Sequence, residues 1–426
     1  MLVPLLILTA CENESSGATY PAAALYRVDG VGLVDGEYDP RSGELLVDGS
    51  PEQGHEWPLV IEGGNLWVGV PERGEVWRWT SGSGSPTTVA TGQPSEAFGA
   101  ALAVANEEPI VGAPAAGGGD DAAGAGAVLL GLGDVRRVVG SRPQLGLGSV
   151  VAACGDLDGD GQADAAMSAP LTGALAGAVY TVPVSSPSVV SADLTPVGSP
   201  AARSAFGAAL ACSADLLGDS APDLLVGARY AVGAGGADGE GAVTVWDAAA
   251  RAAGAPAATL FAHEADDDDA GEPGAFGSAL VTCQLRPTGR PAIVVGAPTA
   301  REGAGVVSIF FPGEELATGN LPTILLVGEA DEGRFGAALG CADRDGDGSD
   351  ELFVGAPGEN APDGTPEAGA LYAFTGLGAS SGAFGASAAG LRFFADRGYL
   401  RTGERFAVGD LDGDALAEVV LLVRQR

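Results

Sequence analysis

Three short segments of the sequence carry acidic side chains at alternating positions. They read DLDGDGQAD (156–164), DRDGDGSDE (343–351) and DLDGDALAE (410–418). Carboxylates at the first, third, fifth and ninth positions, with a backbone carbonyl at the seventh, can enclose a cation when a tight turn brings them together. Hard oxygen ligands of this kind suit Ca²⁺, so the sequence predicts about three calcium sites.

The predicted ligands share one pattern in all three segments. They are Asp156, Asp158, Asp160, Gln162 and Asp164; Asp343, Asp345, Asp347, Ser349 and Glu351; and Asp410, Asp412, Asp414, Leu416 and Glu418. Each segment resembles an EF-hand loop, but the flanking residues predict strands instead of helices. In the third segment Ala415 stands in place of the turn glycine.

Two related segments have lost ligands. In DLLGDSAPD (215–223), Leu217 replaces the central carboxylate, and QLRPTGRPA (284–292) has no acidic residue. Arg286 stands where a carboxylate would be, and we expect its charge to replace that of a metal ion inside the protein.

The acidic segments belong to a unit that recurs seven times. The unit is built from a Phe-Gly-like pair, a VGAP-like phrase and a GAVYTV-like phrase, in that order, followed by another apolar run. Alternation of apolar residues with a period of two predicts a β-strand. Four short strands in a unit of about 40–70 residues predict a blade of a β-propeller.

In this order the phrases resemble the FG-GAP repeats of the integrin α-subunit head, over residues 22–426. The resemblance implies an all-β, seven-bladed β-propeller of four-stranded blades. It places the metal loops between first and second strands on the lower face and the partner-facing connections on the upper face. We interpret Phe406-Ala407 as the last Phe-Gly pair and expect Phe384-Gly385 in a loop.

Both chain ends are expected to build the last blade. After Phe406 the chain supplies only two strands, whereas AALYRV (23–28) and GELLVDGS (43–50) have the patterns of a third and a fourth. We therefore predict a blade closed two-plus-two, which leaves no open strand edge.

The N-terminus has the pattern of a targeting segment. Residues 2–10 form an apolar run that is too short to span a bilayer and ends in Leu-Thr-Ala before Cys11. This ending resembles the lipobox of bacterial lipoproteins, which implies a signal peptide (1–10), a lipidated Cys11 and a flexible tether (11–21). The protein would then be anchored in the bacterial cell envelope, at the outer membrane or cell surface. An ordinary secretory segment that happens to precede a cysteine is the alternative.

The other four cysteines are Cys154, Cys212, Cys283 and Cys341, each on the first strand of its unit. Side chains alternate faces along a strand, and positions counted from the loops give opposite parity within the pairs Cys154–Cys212 and Cys283–Cys341. Propeller blades pack face to back, so we predict these two disulfides, in an oxidising compartment. Four free, buried thiols are the alternative.

Composition and missing motifs restrict the function. The chain has 21 basic and 56 acidic side chains, a formal charge of −35, which excludes a nucleic-acid binder because phosphates would be repelled. It has two histidines, His55 and His263, no lysine, and no zinc, phosphate-binding or nucleophile motif. We therefore predict that the protein is not an enzyme.

After these exclusions we predict a binding role at the cell surface, as an adhesion or protein-interaction module. The protein would contact the membrane only through its lipid anchor. The unknown protein ligand would meet acidic upper connections, at 115–126, 229–241, 263–273 and 357–369. A glycan-binding, lectin-like propeller is the alternative, and a carbohydrate-active enzyme is less favoured. A lectin pocket would need aromatic side chains, and Trp57, Trp67, Trp77 and Trp79 cluster in the first unit.

Overall fold

The computed structural model describes most of the chain as short strands and turns. It covers residues 57–422 except 82, 84, 118–122, 133–134, 144, 171–174, 199, 234–238, 263–273, 314–315 and 396–397, together with the backbone of strands at 5–9, 23–28, 36–38 and 44–49. One six-residue helix, α1 (Ala248–Ala253), begins after Asp247, whose carboxylate accepts a hydrogen bond from the Ala250 amide.

Six sheets come from consecutive segments of the chain, and the first three of them contain four, five and three strands, respectively. The first sheet contains β5 (Leu59–Glu62), β6 (Asn65–Val70), β7 (Glu75–Thr80) and β8 (Thr87–Thr91). The second contains β9 (Ala101–Ala105), β10 (Glu108–Ala113), β11 (Ala127–Leu130), β12 (Arg136–Val139) and β16 (Val189–Val190). The third contains β13 (Val151–Ala153), β14 (Asp164–Ser168) and β15 (Val179–Pro183).

The other three of these sheets follow in chain order. The fourth contains β17 (Phe206–Ser213), β18 (Asp223–Ala228), β19 (Ala242–Trp246) and β20 (Ala258–Phe261). The fifth contains β21 (Ala279–Cys283), β22 (Ala292–Ala297), β23 (Val306–Phe310), β24 (Ile324–Val327) and β28 (Gly382–Gly385). The sixth contains β25 (Ala338–Ala342), β26 (Glu351–Ala356), β27 (Ala370–Phe374), β29 (Leu391–Ala395) and β3 (Gly36–Tyr38). Successive strands of a unit pair antiparallel, whereas β16, β28 and β3 add to outer edges in parallel.

A seventh sheet joins the two chain ends. Its order is β30 (Arg405–Gly409), β31 (Glu418–Leu422), β1 (Leu5–Thr9), β2 (Ala23–Val28) and β4 (Glu44–Gly49). The expected two-plus-two closure is not shown, because β1 occupies the position of the third strand, next to β31. The two N-terminal strands expected as third and fourth, β2 and β4, follow β1 in the sheet. An apolar strand such as β1 can pair along β31, whose backbone groups would otherwise form an open edge. The structure thus shows six blades from consecutive segments and not the seven expected, because the sheet of the two chain ends has five strands, including β1, and not the four strands of a blade.

The first strands of neighbouring sheets contact one another around a circle. The contacts run from β5 to β9, β13, β17, β21, β25 and β30, and β30 in turn contacts β5. Sheets arranged radially around a circle of first strands form a β-propeller. The fold class expected from the repeats, an all-β propeller, is therefore confirmed.

The core lies in layers between adjacent sheets. Every residue of β6, β18, β22 and β26 is buried, because each second strand has a strand on both sides and a sheet against both faces. Phe206, for example, belongs to one apolar cluster with Val179 of the preceding sheet and Trp246 of its own sheet. The Phe206 and Trp246 rings meet edge to face, with centroids 6.3 Å apart.

The repeated phrases lie where neighbouring sheets touch. The glycine of a VGAP phrase packs against the glycine of the next Phe-Gly pair, and a Cβ atom at Gly112 or Gly227 would overlap the carbonyl oxygen of Gly148 or Gly277, respectively. The first glycine of the third phrase also bridges to the next pair, as Gly241 does to Phe276. The fixed order of the phrases therefore follows from close backbone contact between blades.

Two sequence assignments are wrong. In the last unit the Phe-Gly position is held by Thr402-Gly403, since a Cβ atom at Gly355 would overlap the Gly403 carbonyl oxygen. Phe406 lies instead within β30, opposite Leu421. The close approach requires the glycine and not the phenylalanine, so the match to Phe406 was misleading. Phe384-Gly385 lies in strand β28 and not in a loop, because the free outer edge of β24 accepts it.

Substitution of Gly227 by alanine is expected to destabilise the protein by about 2–3 kcal/mol, because the added Cβ meets backbone from the next blade, which cannot rotate away. Denaturant unfolding would measure the change. Gly313→Ala is the matched control, since a Cβ there would meet no atom within 4 Å. Equal stability of the Gly227→Ala and Gly313→Ala proteins would contradict this account of the blade contacts.

Candidate metal centres

The three acidic loops lie at the same end of the propeller, since each joins a first strand to a second. They connect β13 to β14, β25 to β26 and β30 to β31. In each loop, carboxylate oxygens from three residues lie within 4.8 Å of one another. These residues are Asp156, Asp158 and Asp164; Asp343, Asp345 and Asp347; and Asp410, Asp412 and Glu418.

In the first loop the backbone turns around Asp156. Its Oδ1 accepts a hydrogen bond from the Gly159 amide and its Oδ2 accepts one from the Gly161 amide, both at 2.7 Å. Asp160 Oδ1 accepts from the Gln162 amide at 2.8 Å. Gly159 and Gly161 have φ values of 84° and 86°, which glycine adopts without strain. The sequence therefore holds the loop carboxylates on the inside of a tight turn.

The second loop repeats these contacts. Asp343 Oδ1 accepts from the Gly346 amide at 2.7 Å, and its Oδ2 accepts from the Gly348 amide at 2.9 Å. Asp347 Oδ1 accepts from the Ser349 amide at 2.7 Å. Ser349 thus stands at the same point of the turn as Gln162 does in the first loop.

The third loop makes the same turn although it lacks one glycine. Ala415 has a φ of 67°, and its amide donates to Asp410 Oδ2 at 2.9 Å. Asp414 Oδ1 accepts from the Leu416 amide at 2.9 Å. A left-handed alanine costs about 1–2 kcal/mol, so the loop contacts outweigh a local preference for another conformation.

The last carboxylate of each loop is buried. Asp164, Glu351 and Glu418 are 2%, 3% and 1% exposed, and one oxygen of each accepts the amide of the second loop residue at 2.6–2.9 Å. Burial, together with the neighbouring aspartates, raises the pKa of Asp164 to about 6 and that of Glu418 to about 7. Burial also raises the pKa of Glu351. A cation among these groups would favour the ionised carboxylates.

The residues present fit a calcium ion. The three trios that converge in the loops consist of carboxylates, the hard ligand that Ca²⁺ prefers. The Oε1 atom of Glu418 is buried without a hydrogen-bond partner, which leaves one oxygen for a cation. Several carboxylates held this close repel one another, and a divalent ion would remove that repulsion.

The fourth loop, 215–223, keeps the turn but not the ligand set. Asp215 Oδ2 accepts from the Ser220 amide at 3.1 Å, as the first aspartate does in the complete loops. With Leu217 at the central position, this loop has no converging trio of carboxylates among the described residues. The guanidinium of Arg290 instead lies against Gly218.

The expected role of Arg286 is wrong. Its Nε donates to the Gly378 carbonyl at 2.8 Å, and its guanidinium lies 3.9 Å from the centroid of the Phe311 ring. The side chain therefore points to a neighbouring connection, where an aromatic face attracts the cation. Arg290, which sequence reasoning missed, is the arginine of segment 284–292 whose guanidinium reaches the 215–223 loop. Its position four residues later gave no pattern that could have identified it.

Both disulfides expected from the sequence are present in the structure. Cys154 is bonded to Cys212 and Cys283 to Cys341, with Cα–Cα distances of 5.2 and 5.6 Å. Each joins the first strands of adjacent blades, immediately before the strand connection that carries the loop. The parity of the cysteine positions was therefore a usable signal.

The opposite end of the propeller carries the second-to-third connections. The segment 357–369 is described throughout, and it exposes Asp363 and Glu367. Glu359 is more enclosed: it accepts a hydrogen bond from the Tyr372 hydroxyl at 2.6 Å, and burial raises the pKa of both groups. This end thus combines exposed acids with one fixed acid–tyrosine contact.

Several sequence predictions lie outside the described residues. They concern Cys11, the tether at 11–21, the acidic segment 263–273, and both histidines, His55 and His263. The upper connections at 115–126 and 229–241 are described in part. Among the described residues, no helix is long and apolar enough to cross a membrane.

The five tryptophans do not form a surface for a sugar. Each is at most 6% exposed: Trp57, Trp67, Trp77, Trp79 and Trp246. Trp57 and Trp77 pack edge to face, and their indole nitrogens donate to Glu72 and Glu75. The aromatic cluster of the first unit is therefore part of the core.

Comparisons with known proteins assign no family. No protein-family profile matches the chain, and no curated protein is significantly similar to it in sequence. Among solved structures, a chain in the crystal structure of a mitotic checkpoint complex is 14% identical, with a TM-score of 0.46. That alignment covers 88% of this chain and 94% of the other.

Proposed function

We propose that the protein is an exported, lipid-anchored, calcium-binding β-propeller of the FG-GAP type. It acts as an adhesion or protein-interaction module at the surface of a bacterial cell envelope. The observation that carries this proposal is one carboxylate arrangement repeated in three connections of the same type, on a propeller. Extracellular modules bind Ca²⁺ at about 10⁻⁴–10⁻³ M, a range that suits an exported protein.

In this proposal calcium has a local, structural role. Three bound ions would change the formal charge only from −35 to −29, so the surface stays acidic. Each ion would hold one loop and its buried carboxylate in place at the lower end of the propeller. The upper end, with its longer connections, is then free to bind a partner.

In this proposal, removal of residues 1–10 affects both the lipid anchor and the closure of the propeller ring. Removal of residues 1–10 as a signal peptide would remove β1 and leave Cys11 to carry the lipid. β1 is parallel to β31 and antiparallel to β2, so β2 already runs antiparallel to β31. That is the direction which the third strand of a blade requires, and it supports a seventh blade closed two-plus-two in the mature chain.

We propose binding and not catalysis, with a protein as the ligand. Exposed acids at the upper end, such as Asp363 and Glu367, favour a partner with basic or hydrogen-bonding groups. The buried tryptophans disfavour the lectin alternative, since they leave no indole ring to stack on a sugar. They also give no support to a carbohydrate-active enzyme.

Capture from native cell envelopes tests the partner. Crosslinking to the wild-type protein is expected to yield a specific protein, and Asp363→Asn with Glu367→Gln is expected to reduce its recovery several-fold. The control pair Asp193→Asn with Asp219→Asn removes the same charge from exposed positions outside the upper connection. Equal loss in both pairs, or binding to a glycan array that is unchanged by either pair, would contradict the proposed protein-binding surface.

A further inference from the structure

The two disulfides occupy equivalent places beside the acidic loops. Cys154 lies two residues before Asp156, and Cys341 lies two residues before Asp343. Their partners, Cys212 and Cys283, precede the segments 215–223 and 284–292, which have no trio of converging carboxylates among the described residues. Each disulfide thus ties one complete loop to one incomplete neighbour.

Packing also joins the first pair of loops, and a backbone hydrogen bond ties Cys154 to the end of its own loop. The Cys154 amide donates to the Asp164 carbonyl at 2.8 Å, so the cysteine is paired with the residue that ends the loop. Gly155 packs against Pro222, to whose Cγ an added Cβ atom would lie only 2.8 Å away. A shift of Cys154 relative to Cys212 would therefore move both ends of the 156–164 loop.

The second pair is joined by reciprocal hydrogen bonds. Gln284, the residue after Cys283, donates its amide to Asp350 Oδ2 at 2.6 Å, and the Asp350 amide donates to the Gln284 carbonyl at 2.8 Å. Asp350 lies between Ser349 and Glu351, two of the predicted ligands. The disulfide and these bonds together fix the end of the 343–351 loop.

We propose that each disulfide is a positioning element for the calcium loop beside it, so that cystine formation and Ca²⁺ binding strengthen each other. This inference rests on the proposed calcium binding. Because coupling between two sites is reciprocal, an intact disulfide should raise the affinity for Ca²⁺, and bound Ca²⁺ should protect that disulfide from reduction. The neighbouring loop, which lacks a carboxylate trio, holds the other cysteine of the disulfide in place.

The redox step is an ordinary thiol–disulfide exchange with a dithiol as reductant. One dithiol thiolate attacks a cystine sulfur and displaces the other as a thiolate, which forms a mixed disulfide. The second dithiol sulfur then attacks the mixed disulfide and releases the remaining cysteine. Two electrons pass from the dithiol to the cystine, which leaves two protein thiols and one cyclic oxidised dithiol.

Calcium titration of serine variants tests the first half of the coupling. Cys154→Ser with Cys212→Ser is expected to weaken Ca²⁺ binding at 156–164 about tenfold, because loss of the groups that orient metal ligands commonly lowers metal affinity by this factor. The Ca²⁺ affinity of the 343–351 loop should not change. Cys283→Ser with Cys341→Ser should do the reverse. Backgrounds carrying Asp158→Ala or Asp345→Ala identify which loop has changed.

Protection from reduction tests the second half, and it does not depend on the serine variants folding. Protein treated with dithiothreitol, with and without Ca²⁺, is alkylated and each cystine is quantified by peptide mapping. Ca²⁺ is expected to slow reduction of both cystines, and Asp158→Ala should cancel the protection of Cys154–Cys212 only. Parallel reduction of both cystines in every variant would overturn the coupling. If wild-type protein binds no Ca²⁺, the proposed function fails as well; if it binds Ca²⁺ without protecting either cystine, this inference alone fails.

Discussion

Millimolar Ca²⁺ is expected to raise the melting temperature of the protein by several degrees relative to excess chelator. A ligand that binds only the folded state stabilises it by RT ln(1 + [L]/Kd), which is about 0.4–1.4 kcal/mol per site at 1 mM free Ca²⁺ for a Kd of about 10⁻⁴–10⁻³ M. The physical source is the relief of repulsion among the carboxylates that converge in each loop. Scanning calorimetry with and without Ca²⁺ measures the shift.

Loop variants show whether the shift arises at the proposed sites. Asp158→Ala and Asp345→Ala together should remove most of it, since each deletes a carboxylate of a converging trio. Asp193→Ala, which removes an exposed carboxylate outside the loops, is the control and should leave the shift intact. A melting temperature that does not respond to Ca²⁺ would contradict the proposal.

Deletion of residues 22–50 is expected to abolish the cooperative fold and not merely to loosen one blade. The segment supplies β2 and β4 to the sheet that contains the C-terminal strands, and β3 to the sixth sheet. In the mature chain, from which the proposed signal peptide and β1 have been removed, this deletion leaves β31 with an open edge and exposes the apolar faces of two neighbouring sheets. Circular dichroism and thermal unfolding measure the loss.

Deletion of residues 1–21 is the matched control for this prediction. If β2 pairs with β31 in the mature chain, the shortened protein should still melt cooperatively near the full-length temperature. A 22–50 deletion that retains the full-length melting temperature would refute closure by both chain ends. A loss of folding on removal of residues 1–21 would show instead that β1 is a permanent part of the sheet.

The loops and the disulfides were open to prediction because the repeat fixes their register. Once 156–164 and 343–351 are aligned on the same unit, the strand period alone decides which cysteines face each other. The positions of Arg286 and Arg290 were not open to prediction. Long side chains at a loop end can reach either neighbour, and the choice depends on partners such as Phe311 that lie far away in sequence.

The ends of the chain show why residue type can mislead. An apolar run such as residues 5–9 has the pattern of a targeting segment, and the same residues also suit a strand beside β31. Thr402-Gly403 was missed because a search for phenylalanine overlooks the contact that defines the position, which is a close approach of two backbones. Local pattern specifies strands well, but the pairing of edges depends on which edges remain open.

The number of calcium ions bound by the folded protein tests the central claim most directly. Native mass spectrometry at millimolar Ca²⁺ should show three ions on the wild-type chain, one for each converging trio. The variants Asp158→Ala, Asp345→Ala and Asp412→Ala should each bind one fewer, whereas Asp193→Ala should retain all of them. A wild-type protein without bound Ca²⁺, or one whose ion count is unchanged by the three loop variants, would contradict the account.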